Sequence, residues 1–371
     1  MKQYLDLAKE VISKGTYKKA AREGMPGTIS LFGAQFRHDL SEGFPLLTSK
    51  KLSFKNIVFE LLWFLRGDTN IKYLIDNGCN IWNEDAYNYY CKKMKELDSK
   101  FYNNKIWIPV TFSEFIDLIK AGETESTIPG YTIGDCGKQY GWLWRNWEAL
   151  TDDGLGNSYP LGENHCGYID QISDLVKGLK TNPLGRRHIL TAWNPATLDD
   201  MALNACHALV QFNCRPLTDE EKHEWALKQP ASVLYRTNPE TNFTEVREEI
   251  VPQYYLDCQM YQRSADLFLG VPYNIASYSL LIHIFAKMCN MIPGEFIHTF
   301  GDVHIYENHT DQIEEQLSRE LRELPTIELA KDIDWENYDI NRIWDWGMQL
   351  FELKDYNPHP AIKGKLSTGL R

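Results

Sequence analysis

The sequence predicts an α+β fold. Stretches with a helical repeat and stretches with a two-residue repeat are mixed along the chain, they lack the regular strand–helix–strand alternation of a doubly wound sheet, and no internal repeat of solenoid or propeller length is present. Residues 3–14 put Tyr4, Leu7, Ala8, Val11 and Ile12 on one helical face. Residues 27–40 follow as a strand in which Ile29, Leu31 and Gly33 alternate. The segment 54–67 is apolar nearly all round and reads as a helix buried on most faces, ended by Gly67, with Glu60 as its one acid. Residues 186–195 and 208–214 read as strands, the first closed by Asn194-Pro195. Residues 257–270 read as a further strand that turns into a long helix over 274–288. Two polar stretches, a weakly periodic Lys-, Asn- and Tyr-rich one at 88–135 and an acid-rich one at 216–252, read as insertions into one compact domain spanning 1–371.

Composition narrows the class. With 43% hydrophobic residues the chain can bury a sizeable core, which excludes a disordered or collagen-like polymer. The 39 basic against 51 acidic residues leave a net charge of −12, so general nucleic-acid binding is not expected and any phosphate must be held locally. The eight cysteines (79, 91, 136, 166, 206, 214, 258 and 289) show neither a C-x-x-C pair nor metal-ligand spacing, which fits reduced thiols in a cytoplasm and no metal. The N-terminal segment has no apolar signal core, and the chain has no 18-residue apolar run that would span a bilayer.

Several residues carry chemistry on either of two readings. Cys206, flanked by apolar residues and followed by His207, is an inert buried thiol or, beside cations that favour its thiolate, a nucleophile. Arg186, Arg187 and Arg263 lie on apolar strands in an acidic chain. They are salt-bridge partners or an anion site, since the guanidinium fork matches phosphate. His304 and Tyr306 belong to an aromatic strand or bind a sugar hydroxyl. Asn274 caps a helix or offers an amide to a ring edge such as that of uracil.

Cys206 with residues 261–278 (YQRSADLFLGVPYNIASY) and 296–319 (FIHTFGDVHIYENHTDQIEEQLSR) makes the chain resemble the thymidylate synthase family. Residues 44–52, 60–71, 186–195, 201–207 and 359–365 match in the same order. The resemblance implies the family's α/β fold, a large mixed sheet covered by helices, with sheets packed back to back in a homodimer. It implies that Cys206 adds to C6 of dUMP, that Glu60 organises waters for proton transfer at O4, and that Tyr140 helps remove the C5 proton. Arg22, Arg187, Arg263 and Ser264 would bind the phosphate, with Arg186 and Arg187 coming from the second copy. Asn274 would read the uracil edge, His304 and Tyr306 the 3′-hydroxyl, and Trp82, Asp266 and Gly270 would face the folate. The co-substrate would be 5,10-methylenetetrahydrofolate, with no metal, membrane or nucleic acid involved.

The family ends its reaction in two ways: hydride from the folate gives dTMP, whereas water gives 5-hydroxymethyl-dUMP. Five departures point toward water. Ala205 replaces the proline before the nucleophile, and the phosphate loop Arg22 to Thr28 is one residue longer. Trp142 follows Tyr140-Gly141, Asp85 replaces a tryptophan, and the chain runs on as LSTGLR after residue 365. A polar tail would seal the site less well. The expectation is therefore a dUMP hydroxymethylase of the kind made by phages that replace thymine, acting in the host cytoplasm. Thymidylate synthase is the alternative, and a non-catalytic nucleotide- or RNA-binding regulator lies further off.

Overall fold

Six of the segments with strand character join one sheet. The computed structural model describes residues 1–20, 24–102, 109–123, 131–152, 158–160, 167–237 and 244–365. The strands are β1 (Thr16–Lys18), β2 (Thr28–Asp39), β3 (Ile189–Thr191), β4 (His207–Pro216), β5 (Tyr254–Asp266) and β6 (Ile292–Tyr306), arranged in the order β1-β2-β6-β5-β4-β3. All neighbours are antiparallel except β5 and β6, which run parallel because a helix crosses between them. The sheet is thus mixed, as expected.

The helices are α1 (Lys2–Lys14), α2 (Phe54–Leu65), α3 (Asn83–Tyr102), α4 (Phe112–Ala121), α5 (Tyr140–Arg145), α6 (Gln171–Thr181), α7 (Asp219–Leu227), α8 (Gly270–Met288) and α9 (Thr310–Ser318), with short helical turns between some of them. Helix α8 is the β5-to-β6 crossover. It is buried along almost its whole length, as are nine of the twelve residues of α2, so these two apolar segments fill the core under the sheet. Gly67 ends α2 with φ 71°, a left-handed conformation that glycine adopts without steric cost.

Three expectations change. The strand over 186–195 shrinks to Ile189–Thr191, because Asn194 accepts the Ala196 N–H and starts a helical turn at Pro195. The long helix begins at Gly270 rather than 274, because Asp266 accepts the N–H groups of Phe268 and Leu269 and folds the turn tightly. Within 88–135 the weak periodicity hides two helices: α3 buries Ala86, Tyr89, Tyr90 and Met94 on one face, and α4 answers with Phe115 and Ile119. Aromatic rather than aliphatic residues carry that helical stripe. In the other polar stretch, α7 buries no side chain.

Helices cover one face of the sheet. On the other, Phe32 is 77% exposed, and Leu209, Gln211, Gln259 and Tyr261 are also exposed. Thr299 Oγ1 in the middle of that face accepts from both Gln35 and Gln259. Among the described residues, no helix is long and apolar enough to cross a membrane.

Candidate active site

The register of the sheet brings the chemical residues to one end. Parallel pairing sets Asp266 opposite His304 and Ser264 opposite Asp302, and antiparallel pairing sets Gln262 opposite His207, the first residue of β4. The β4–β5 register slips between Tyr261 and Gln262, an irregularity of the kind that re-aims side chains near functional sites. Cys206 therefore sits immediately before β4, beside the C-terminal ends of β5 and β6.

The loop carrying Cys206 is held through its backbone. The Cys206 N–H donates to the Tyr140 hydroxyl at 2.6 Å, and the Cys206 carbonyl accepts the Arg263 N–H at 2.8 Å. The Arg263 guanidinium donates from Nε to Ala205 O and from Nη2 to Asn204 O, each at 2.8 Å, and lies 5.2 Å from the Trp193 ring. The guanidinium has five N–H groups, so others remain for an anion. The Sγ atom of half-buried Cys206 stands 3.7 Å from Asn204 O.

A buried polar chain runs behind the nucleophile. Asn274 Nδ2 donates to His207 Nε2 at 3.1 Å, so the His207 proton is on Nδ1, 3.0 Å from the Tyr278 hydroxyl. Burial, reinforced by the Arg263 charge, pushes His207 down to about 3, so it stays neutral. The Tyr140 ring stacks on His207 at 4.3 Å, and burial drives the Tyr140 hydroxyl well above its usual range, so it works as a neutral hydrogen-bonding group.

Glu60 projects from α2 and accepts the Trp82 indole N–H at 2.7 Å. Burial raises its carboxyl to about 7, against the pull of that hydrogen bond. Asp266 holds the turn before α8. A Cβ at Gly270, the first residue of that helix, would meet Asn274 Oδ1 at 3.7 Å and Asp266 Cβ at 3.8 Å, ordinary contact distances. His304 donates from Nδ1 to Asp302 at 2.9 Å, which leaves Nε2 free to face a ligand, with Tyr306 edge-on at 5.0 Å. Burial works against the Asp302 charge, but hydrogen bonds from His304 and Lys18 hold its carboxyl far below the usual range.

Cys206, Tyr140, Arg263, Asn274 and Ser264 thus gather at one end of the sheet. His304, Tyr306, Asp266 and Gly270 lie beside them, and Glu60 joins through Trp82 and Tyr140, whose rings are 6.4 Å apart. Arg22 falls outside the described residues. Arg186 and Arg187 are not gathered: both are exposed, and the Arg186 carbonyl accepts from Gln211, five residues along β4 from Cys206, or roughly 16 Å at strand rise. They line a cleft of about 660 Å³ with Asp174, Asn182 and His188 instead. Lys50 escaped notice in the sequence. It is 3% exposed, donates to Phe268 O and lies over the Phe268 ring, and burial pushes its amine down to about 7 despite Asp266. His298 also escaped notice, because nothing local marks it, and Gln262 stood out only as a neighbour of Arg263. Among the described residues, no group of three or more His, Cys, Asp or Glu side chains is arranged to hold a metal.

The family model "Thymidylate synthase" matches residues 2–368. The thymidylate synthase of Malacoplasma penetrans (strain HF-2) is 40% identical over 367 residues, covering 99% of this chain and all of that relative. Those of Listeria monocytogenes serotype 4b (strain CLIP80459) and Listeria innocua serovar 6a (strain ATCC BAA-680 / CLIP 11262) are each 40% identical over 373 residues, with the same coverage. The chain belongs to the thymidylate synthase family. Enzymes of this family transfer a one-carbon unit from methylenetetrahydrofolate to dUMP, and the buried carboxyl, thiol and arginine gathered here are read in that light.

Within the thymidylate synthase frame, the departures fall unevenly. Trp142 lies two residues from Tyr140 on α5, a turn of about 200° that takes its ring to Tyr168 and away from the His207 side. Ala205 is fully buried, and its carbonyl serves Arg263. Asp85 lies in the first turn of α3, whose later residues Tyr89 and Lys93 bond Asp200 at 2.8 and 2.7 Å. Helix α3 thereby braces the loop that leads to Cys206. The C-terminal arm is clamped as far as it is described: Arg319 donates to Pro360 O, and His309 Nε2 lies 2.8 Å from Lys365 O. The LSTGLR tail lies outside the described residues.

Proposed function

We propose that the chain is a thymidylate synthase, converting dUMP to dTMP with methylenetetrahydrofolate. The observation that carries this reading is Cys206, held between the Tyr140 hydroxyl and Arg263 beside the Asn274 amide, in a chain matched from end to end by synthases. The relatives' names favour the synthase over the hydroxymethylase that the departures suggested, and Trp142, one of those departures, packs away from the nucleophile.

In this mechanism the Cys206 thiolate adds to C6 of the pyrimidine, and the electron pair passes to C5 and O4. Arg263 and Ser264, with Arg22, hold the phosphate of the nucleotide. His304 and Tyr306 fix the 3′-hydroxyl, and Asn274 pairs with the uracil edge. Glu60, poised near neutrality, exchanges a proton with O4 through water. Tyr140 guides the C5 proton away, and the C6–S bond breaks at the end to restore the thiolate. Trp82, Asp266 and Gly270 are the residues that would hold the folate. When bound, the folate supplies the one-carbon unit and, in a synthase, the hydride.

Product analysis tests the ending. Incubation with dUMP and methylenetetrahydrofolate is expected to give one dihydrofolate per nucleotide. Accumulation of 5-hydroxymethyl-dUMP with tetrahydrofolate would overturn the synthase reading.

The uncovered sheet face, with Phe32, Leu209 and Tyr261 exposed, is the surface we assign to a second copy of the chain. Pairing there would let Arg186 and Arg187 serve the other copy's phosphate. Sedimentation should show a dimer that Phe32→Glu dissociates; an active wild-type monomer would refute the assignment.

A further inference from the structure

We propose that Gln262 and His298 are positioning residues that fix which pyrimidine the enzyme reads, by setting the sense of the Asn274 amide from the main-chain carbonyl of Ser264. This rests on the reading of Asn274 as the group that meets the base edge.

The argument starts from a group with no choice. A backbone carbonyl can only accept, so the atom of Gln262 that lies 3.2 Å from Ser264 O must be its nitrogen. The second hydrogen on that nitrogen goes to Asn274 Oδ1 at 3.1 Å, and Gln262 Oε1 accepts from His298 Nε2 at 2.8 Å. With its oxygen turned to Gln262, Asn274 points its nitrogen at His207 Nε2, and the His207 proton goes to the Tyr278 side. From His298 through Gln262 and Asn274 to His207, each hydrogen bond pairs a donor with an acceptor.

The reversed chain fails at both ends. Turning Gln262 over would face its oxygen to the Ser264 carbonyl, two acceptors in contact. It would also force the His298 proton onto Nδ1, a buried atom that has no hydrogen-bond partner. The His298 ring cannot turn to relieve this, since it is fully buried, stacked on Phe300 at 3.8 Å and edge-on to Phe36 at 5.5 Å. Only one sense of the chain satisfies its members.

That sense matters because the bases differ by an exchange of donor and acceptor. Uracil offers the O4 acceptor beside the N3–H donor, whereas cytosine offers the N4 amino donor beside the N3 acceptor. After Gln262 and His207 are served, Asn274 has one N–H and one carbonyl lone pair left, and their order is the order in which Gln262 holds the amide. An amide free to turn over would read either base.

The test compares kcat/KM and dissociation constants for dUMP and dCMP. Gln262→Glu, the same shape with an acceptor facing Ser264, is expected to lower the dUMP/dCMP preference about 100-fold, and His298→Phe about tenfold, because each leaves the amide's sense unspecified. His298→Gln, which keeps a donor, should restore the preference. If His298→Phe does not fold, Gln262→Glu decides alone. Equal losses on both nucleotides, with the ratio unchanged, would overturn the proposal. Asn274→Asp separates the two levels: if it also leaves the ratio unchanged, the base-reading role of Asn274 fails, and if it alone shifts the ratio, only the Gln262–His298 control fails.

Discussion

Cys206→Ala is expected to lower turnover by at least roughly four orders of magnitude, while dUMP still binds and the thermal midpoint barely moves. The large effect follows from the chemistry: without the thiolate at C6, C5 of uracil is too poor a nucleophile to accept a one-carbon unit. The small structural effect follows from the way the loop is held. The hydrogen bonds from Tyr140 and Arg263 to this loop go to the backbone of Asn204, Ala205 and Cys206, so they survive the substitution. Turnover within a factor of two of the wild type would remove the covalent mechanism. A stoichiometric covalent adduct with dUMP, trapped by denaturing the wild type and absent from the variant, is the complementary observation.

Glu60→Gln should move activity and stability in opposite directions. The Glu60 carboxyl is held near 7 in the folded chain against an ordinary value of 4.5, because burial disfavours its charge. A carboxyl whose folded value is raised favours the fold at low pH, and that contribution is lost as the pH rises through the folded value. The shift corresponds to about 3 kcal/mol between the two limits. Wild-type stability should therefore fall from about pH 5 to pH 8 by an amount of that order. The amide of the Glu60→Gln variant, neutral throughout, should remove that slope and leave the variant more stable than the wild type at the alkaline end. Turnover should fall by roughly two to three orders of magnitude, the usual size of a lost proton-transfer group. Parallel stability curves, or turnover above half the wild-type value, would show that Glu60 neither titrates near neutrality nor moves a proton. A charge kept where it costs stability belongs with function rather than with folding.

Much of this site was legible one residue at a time. Glu60 stood out because an acid within an otherwise apolar helix has to be buried, and its raised carboxyl is the physical result. Helix α1 was legible because its buried face repeats at the helical period, and α2 and α8 because their long apolar runs are buried on nearly every side. Helix α3 was not, because its stripe is carried by Tyr89 and Tyr90, whose polar tips hide the period, and Tyr90 packs against Phe115 and Tyr131 from outside the helix. The strand at 186–195 was overextended for the opposite reason: Asn194 offered its side chain to the backbone and ended the ladder early.

By itself, the sequence determined the chemical inventory, namely a thiol followed by a histidine, arginines in an acidic chain and an acid in an apolar helix, together with the elements that local periodicity specifies. Those are properties of neighbours along the chain. The tertiary structure alone decided which polar groups meet. Ser264, Gln262 and Asn274 lie within twelve residues, but His207 and His298 reach them from β4 and β6 across 67 and 36 residues, through strand registers that no local pattern encodes. It also kept Arg186 and Arg187 away from their own chain's nucleophile. Hydrogen bonds of that kind depend on angstrom-level register between distant strands, and packing of the whole core sets that register.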